Sequence, residues 1–245
     1  MENFGLTTVT FRNKSLSEIM KISKQNKIKY IELGGDVHCK PMNMEDINNA
    51  NFLKKKYGIN IISYGSYFRL LENTVDDFKD VLETASLVGA KIIRIWMGNK
   101  SSKNTSDDEF NKMVADTKQI AKMAQEKNII IGFEFHHKTY NDSAESSLKF
   151  LKSVNMENVK TYWQPFTDKT DFHNLEAVLP YVVCVHVFSW SKKGVRFSLK
   201  TLKCRWKKYM GIIRKGNKNP YYIMEFVKND SEKQFSKDAE FLRTL

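Results

Sequence analysis

Glu134, Gln164, His186 and Glu225 each stand in or at the end of a short apolar run: "NIIIGFEF", "VKTYWQ", "VVCVHVF" and "YYIMEF". Two carboxylates, an imidazole and an amide oxygen form a set of hard oxygen and borderline nitrogen donors. That set suits Mn2+, Mg2+, Co2+ or Zn2+ better than a metal that prefers thiolate. The two glutamates could also act as general base and general acid on opposite sides of a bound molecule. Taken singly, each residue has a plainer reading. A glutamate at a strand end is commonly a rim salt bridge, and His186 between Val185 and Val187 could be a satisfied core histidine. Recurrence at the ends of four successive runs is what favours one shared site.

The elements that would position these residues alternate regularly. Apolar or β-branched runs occur at 5–11, 28–33, 59–64, 90–97, 128–135, 159–164, 182–188 and 221–226. They are short and carry few charges, as strands buried on both faces do. Helical patterns lie between them. Ser15 with Glu18, and Ser106 with Glu109, form capping boxes; Asp142 or Ser143 opens a further helix, and Ser231 with Gln234 stands in the same relation. Phe78, Val81, Leu82, Ala85 and Leu87 form a helical stripe that Gly89 ends, 170–181 is a weaker helix, and 190–216 mixes loop and helix around Trp206. Eight β-then-α units without a Pro/Gly-rich linker predict an α/β fold, one (β/α)8 TIM barrel over residues 1–245. Barrel enzymes place their chemistry where strands run into the following loops. The other strand ends offer Glu32, with His38 beyond it, Ser63, Tyr64, Ser66, Tyr67, Trp96, Asn99 and His136.

The bulk composition bounds the partners. The chain has 245 residues, 41% of them hydrophobic and 28% charged, with a mean hydropathy of −0.49. No run approaches the ~20 apolar residues that cross a bilayer, and the N-terminal stretch lacks a basic region followed by an apolar signal core. Cys39, Cys184 and Cys204 are too widely spaced for a metal motif or a disulfide framework, which fits a reducing cytoplasm. The net charge of +12 comes from lysines spread along the whole chain, densest at 203–218. It reads as a solvated surface, with a basic rim for an anionic ligand as the alternative.

At its chemistry-bearing residues the chain resembles the xylose isomerase-like TIM-barrel superfamily of sugar isomerases, ketose epimerases, related dehydratases and endonuclease IV. The resemblance rests on "GFEFHHKTYNDS", "VKTYWQP", "VCVHVFSW" with Arg196 downstream, and "YYIMEF", and covers nearly the whole chain. It implies a divalent metal held by Glu134, Gln164, His186 and Glu225, with both glutamates moving protons. One departure stands out: many members carry Asp-Pro-Gly-His on strand six, where this chain has Gln164-Pro165-Phe166-Thr167. An amide brings an oxygen but no charge, so the metal is expected to bind weakly and exchange.

The resulting expectation is metal-assisted isomerisation or epimerisation of a sugar or sugar phosphate through an enediolate, with Glu134 and Glu225 as the proton carriers. A dehydratase of a polyol or keto acid would use much the same residues. A non-catalytic sugar-binding barrel with a degraded metal site is a further reading, for which Gln164 and Thr167 argue. His136 is expected to contact a hydroxyl. Phe11, Tyr64, Tyr67, Trp96 and Trp190 are candidates for an apolar wall, and Arg196, Lys228 and Arg12 for an acidic group. His38, His137 and His173 receive no role. Only five histidines in the chain argue against the trinuclear zinc site of a DNA endonuclease, and no basic nucleic-acid motif is present. Nothing in the sequence sets an oligomeric state; a homodimer through the outer helices is compatible with it.

Overall fold

A computed structural model describes residues 3–191, 193–216 and 218–245. Among them, eight strands form a closed barrel in sequence order. They are β1 (Phe4–Thr7), β2 (Tyr30–Gly34), β3 (Asn60–Arg69), β4 (Ile92–Trp96), β5 (Ile130–Phe133), β6 (Val159–Trp163), β7 (Val182–Val187) and β8 (Tyr221–Met224). Every pairing is parallel, and β1 closes on β8 through Phe4–Tyr222, Gly5–Ile223 and Leu6–Met224. The eight helices are α1 (Leu16–Gln25), α2 (Met44–Tyr57), α3 (Asp77–Val88), α4 (Asp107–Glu126), α5 (Ala144–Val154), α6 (Asp171–Val178), α7 (Lys203–Lys215) and α8 (Glu232–Leu242). This is the (β/α)8 TIM barrel that the alternation of runs predicts.

The caps follow the local chemistry. Ser15 and Ser106 complete their capping boxes, and Ser143 rather than Asp142 caps α5. Ser231 caps α8, but Gln234 turns its amide to Asp238, so that box stays half-formed. α2 has no counterpart in the sequence reading. It buries only Ile47, Ala50 and Leu53, too sparse a stripe to stand out, and its signal is Asn43, whose side chain accepts from the Glu45 and Asp46 amides. The first run is shorter as a strand than the sequence suggests, because Thr8–Phe11 turns into a 3-10 helix.

Strand alternation creates two cores. One face of the sheet packs on the helices, where Trp163 meets Tyr209 with ring centroids 4.9 Å apart. The other face fills the barrel with Ile62, Ile92, Tyr162, Cys184 and Ile223. Of the glycines whose positions leave no room for a side chain, two bear on the barrel axis. A Cβ at Gly132 would lie 2.6 Å from the Tyr162 ring, and one at Gly65 would lie 2.8 Å from the Arg94 guanidinium. Those glycines let a tyrosine and an arginine occupy the barrel axis.

Candidate active site

Two residues on from the barrel plug, along the same inward face, six of the eight strands place a polar side chain. Ile92 is followed by Arg94, Tyr162 by Gln164, Cys184 by His186 and Ile223 by Glu225, as the two-residue period of a strand requires. Glu134 follows Gly132, and Glu32 follows Tyr30, by the same rule. Glu134 and Glu225 stand one residue past their strands, but their backbones stay in register: the Glu134 amide donates to the Ile95 carbonyl at 3.0 Å, and the Glu225 amide to Val187 at 3.1 Å. The six polar groups therefore form one layer at the C-terminal mouth, all of them buried.

Within that layer His186 is central. Its Nδ1 lies 3.1 Å from Gln164 Oε1, 3.3 Å from Glu225 Oε2 and 3.9 Å from Glu134 Oε1. Glu134 turns its second oxygen, Oε2, to the Arg94 guanidinium and the Trp96 indole N–H. Only Glu134 Oε1 is left facing the centre. Ligand atoms from Glu134, His186 and Glu225 all fall within 4.8 Å of one another. Donors about 2.1 Å from a small divalent ion lie at most about 4.2 Å apart, so a modest contraction would suffice for binding. The charges agree with this fit. With His186 neutral and all three buried carboxylates ionised, as ligation requires, Glu32, Glu134 and Glu225 less the guanidinium of Arg94 leave two formal negative charges for a divalent cation to match.

The site makes its two glutamates unequal. Burial pushes both carboxyls up, but for Glu134 the charge of Arg94, with His186 behind it, wins and holds the group below the usual range. Glu225 is pushed by burial up to about 7; His186 opposes the rise, while the negative charge of Glu134 adds to it. Burial alone would lower His186, yet Glu225 and Glu32 raise it to about 9. A cation at the centre must displace those protons.

The remaining candidates divide. His136 lines a cavity of about 270 Å3 together with His137, Gln164, Phe166, Phe188 and Trp190, so the cavity reaches the polar layer at Gln164. Trp96 borders the site from beneath His136, with ring centroids 5.8 Å apart, and bonds Glu134. Arg196 belongs to a second cavity of about 230 Å3 with Val9, Thr10, Arg12, Phe226 and Asp230. There it pairs with Asp230 at 2.5 Å and covers the Phe226 ring at 4.5 Å. Tyr64 is not brought to the site. Ser63 faces the barrel, so Tyr64 turns the other way, fully buried, and donates to the Cys39 carbonyl at 2.8 Å. Phe11 is likewise packed in the core, against Phe235. Arg12 pairs with Asp36 and donates to the Tyr67 hydroxyl.

Arg94 is the residue that the sequence reading passes over. A charge inside "KIIRIWM" looks like an interruption of an apolar run. The signal was its parity: Ile92, Arg94 and Trp96 share a face, and that face carries the chemistry in every neighbouring strand.

A parallel eight-stranded barrel with acid, imidazole and amide donors converging at its C-terminal mouth defines the class as a TIM barrel with a polar layer at that end. The family model for xylose isomerase-like TIM barrels matches residues 21–245, and the chain belongs to this family. A 3-dehydroshikimate dehydratase of Bacillus anthracis is 24% identical over 200 residues, covering 75% of this chain and 70% of that protein. The 3-keto-D-glucoside 4-epimerase of E. coli superposes with a TM-score of 0.79 at 13% identity over all of both chains. A xylose isomerase-like TIM-barrel protein of Mycobacterium smegmatis in complex with magnesium superposes with a TM-score of 0.77 at 11% identity, covering 100% of this chain and 96% of that one. The proteins that this chain resembles thus include a dehydratase and an epimerase, and a solved barrel of this fold is in complex with magnesium. Among the described residues, no helix is long and apolar enough to cross a membrane.

Proposed function

We propose that this chain is a metal-assisted isomerase or epimerase of a sugar or sugar phosphate. The observation that carries the proposal is the convergence of Glu134, Gln164, His186 and Glu225 on one buried centre, with the two glutamates held in different protonation environments. Glu134, Gln164, His186 and Glu225 would hold a divalent ion there, which would supply Lewis-acid stabilisation of the negative charge that develops when a proton leaves carbon beside a carbonyl. Glu225, poised by burial near neutrality, is suited to accept the proton from carbon beside that carbonyl and to give it back. Glu134, fixed by Arg94 and Trp96, holds an anionic oxygen toward the centre from three strands away and is the opposing carboxylate for return of a proton to the other face. Gln164 presents its amide where the cavity meets the layer, and His136 beside it is placed to bond a hydroxyl. Phe166, Phe188 and Trp190 supply an apolar wall for the C–H face of a sugar ring.

Dehydration of a polyol or keto acid is the second reading. It is favoured by the match to the 3-dehydroshikimate dehydratase over three quarters of the chain. Elimination also begins with removal of a proton beside a carbonyl, so the same groups serve.

The deciding experiment is metal content after dialysis against Mn2+, Mg2+, Co2+ and Zn2+ separately, for wild type, Glu225→Ala and Gln164→Asp. Retention of about one ion per chain in wild type, loss in Glu225→Ala and tightening in Gln164→Asp support the site. Ketoses, their phosphates and 3-dehydroshikimate are then assayed side by side. Removing either glutamate should cost about 10²- to 10⁴-fold in turnover. A wild type that binds no ion, with a Gln164→Asp that does, would instead indicate a barrel whose metal chemistry has lapsed and which binds sugar without turning it over.

A further inference from the structure

Glu32 has no task in the chemistry above, yet it is completely buried in the same layer. Its Oε1 lies 3.2 Å from Arg94 Nε and 3.4 Å from His186 Nε2. Its Oε2 accepts from the Ser63 hydroxyl at 3.3 Å, and that hydroxyl is 2.6 Å from the Tyr162 hydroxyl. Among the described residues, Glu32 Oε1, Arg94 Nε and His186 Nε2 make no hydrogen bond, so three buried polar atoms face one another at ion-pair distance with no other partner. Arg94 and His186 thus meet at a single carboxylate oxygen. The His186 ring spans the distance between Glu32 on one side and Gln164, Glu225 and Glu134 on the other. A guanidinium has no acceptor, so Glu32 is the group that can receive a proton from Nε2.

A neutral imidazole carries its proton on one nitrogen, and the bond made by that nitrogen decides which way the other lone pair points. We propose that Glu32 is a positioning residue: its carboxylate accepts the Nε2 proton of His186 and so turns the Nδ1 lone pair to the centre. Arg94 completes the device. The guanidinium that clamps Glu32 against His186 also clamps Glu134 Oε2, so the imidazole and one carboxylate of the centre are set by the same cation. The importance of this for metal binding rests on the reading under Proposed function; the position of the proton does not.

The test is long-range 1H–15N correlation of the His186 ring in 15N-labelled protein, in the Zn2+-bound form and in the alkaline metal-free form where the ring is neutral. Wild type is compared with Glu32→Asp, which keeps the charge but withdraws the carboxylate by about 1.5 Å, and with Glu32→Gln, which keeps the volume and an acceptor oxygen. Melting curves establish that each variant is folded. Wild type should show a slowly exchanging proton on Nε2. Glu32→Asp should lose that protection and bind Zn2+ about 10- to 100-fold more weakly, and Glu32→Gln should recover part of both. If Glu32→Asp does not fold, Glu32→Gln and wild type carry the same readouts. A neutral His186 protonated on Nδ1 in wild type overturns the proposal. So does a Glu32→Asp whose proton, shifts and Zn2+ affinity match wild type. If wild type binds no more zinc than Glu225→Ala, the metal reading fails, while the nitrogen that carries the proton still decides the role of Glu32.

Discussion

Replacing Arg94 by glutamine tests the charge balance of the site most directly. In the metal-free protein Arg94 is the cation shared by Glu32 and Glu134, with its side chain and both carboxylates almost wholly out of water. Removing one partner of a buried ion pair leaves an uncompensated charge, which costs about 3–5 kcal/mol. A chain of this size loses about 2–4 °C of Tm for each kcal/mol. In EDTA the Arg94→Gln variant should therefore melt about 6–20 °C below wild type. A divalent ion should reverse the order of effects. With the guanidinium gone, a bound ion takes over its neutralising role, so Mn2+ or Zn2+ should raise the Tm of the variant by more than that of wild type. The gain follows the logarithm of metal concentration over Kd. Differential scanning calorimetry with and without metal measures both quantities. A variant that melts within about 2 °C of wild type in EDTA would show that Arg94 does not neutralise the layer. Equal metal-induced shifts in the two proteins would show that ion and guanidinium do not share those charges.

Metal uptake should release protons, because burial holds Glu225 up at about 7 and its carboxylate neighbours hold His186 at about 9. Affinity should rise from pH 6 to pH 9, and titration calorimetry in buffers of different ionisation enthalpy counts the protons. Stability should show an acid limb from Glu32. Its carboxyl is raised by burial but held at about 2 by Arg94 and His186, so its contribution is complete above the unfolded value of 4.5 and is lost as pH falls through about 2. Glu32→Gln should flatten that limb in urea melts taken across the acid range. His186 works in the opposite sense. Its raised value contributes stability below about 6.5 that disappears as pH climbs through about 9, and His186→Gln should remove that alkaline loss. Far from the site, Ser106→Ala removes the cap of α4 and should cost about 1 kcal/mol, a fall of about 2–4 °C in Tm with metal affinity unchanged.

Much of the barrel is legible because every strand is a compact apolar run and half of the helices announce themselves by a cap, at Ser15, Ser106, Ser143 and Ser231. The helix at Met44–Tyr57 is the exception. It is half solvent-facing and asparagine-rich, so its periodicity is weak and only its cap marks it. The donors at strands five to eight are legible because a polar residue at the end of an apolar run has no packing reason to be there. Arg94 and the task of Glu32 are not, since each makes sense only through a partner on another strand, 31 to 62 residues distant for Ser63 and Arg94. Tyr64 shows the limit of reading residue types without parity. One position earlier, Ser63 takes the inward place, and the tyrosine that looks like a sugar platform ends among helix-facing side chains.

The closure of the sheet has a consequence for how the chain reaches this state. The charged layer draws on β2, β4, β5, β7 and β8, whereas the seam that completes the cylinder joins the first strand to the last. An open sheet cannot shield Glu32, Arg94, Glu134 and Glu225 from water on every side, so their full burial requires the cylinder to be closed. The contacts of the seam have the greatest sequence separation in the barrel, the kind that is slow to form. The most polar storey of the molecule therefore depends on the contact that the topology makes hardest to reach.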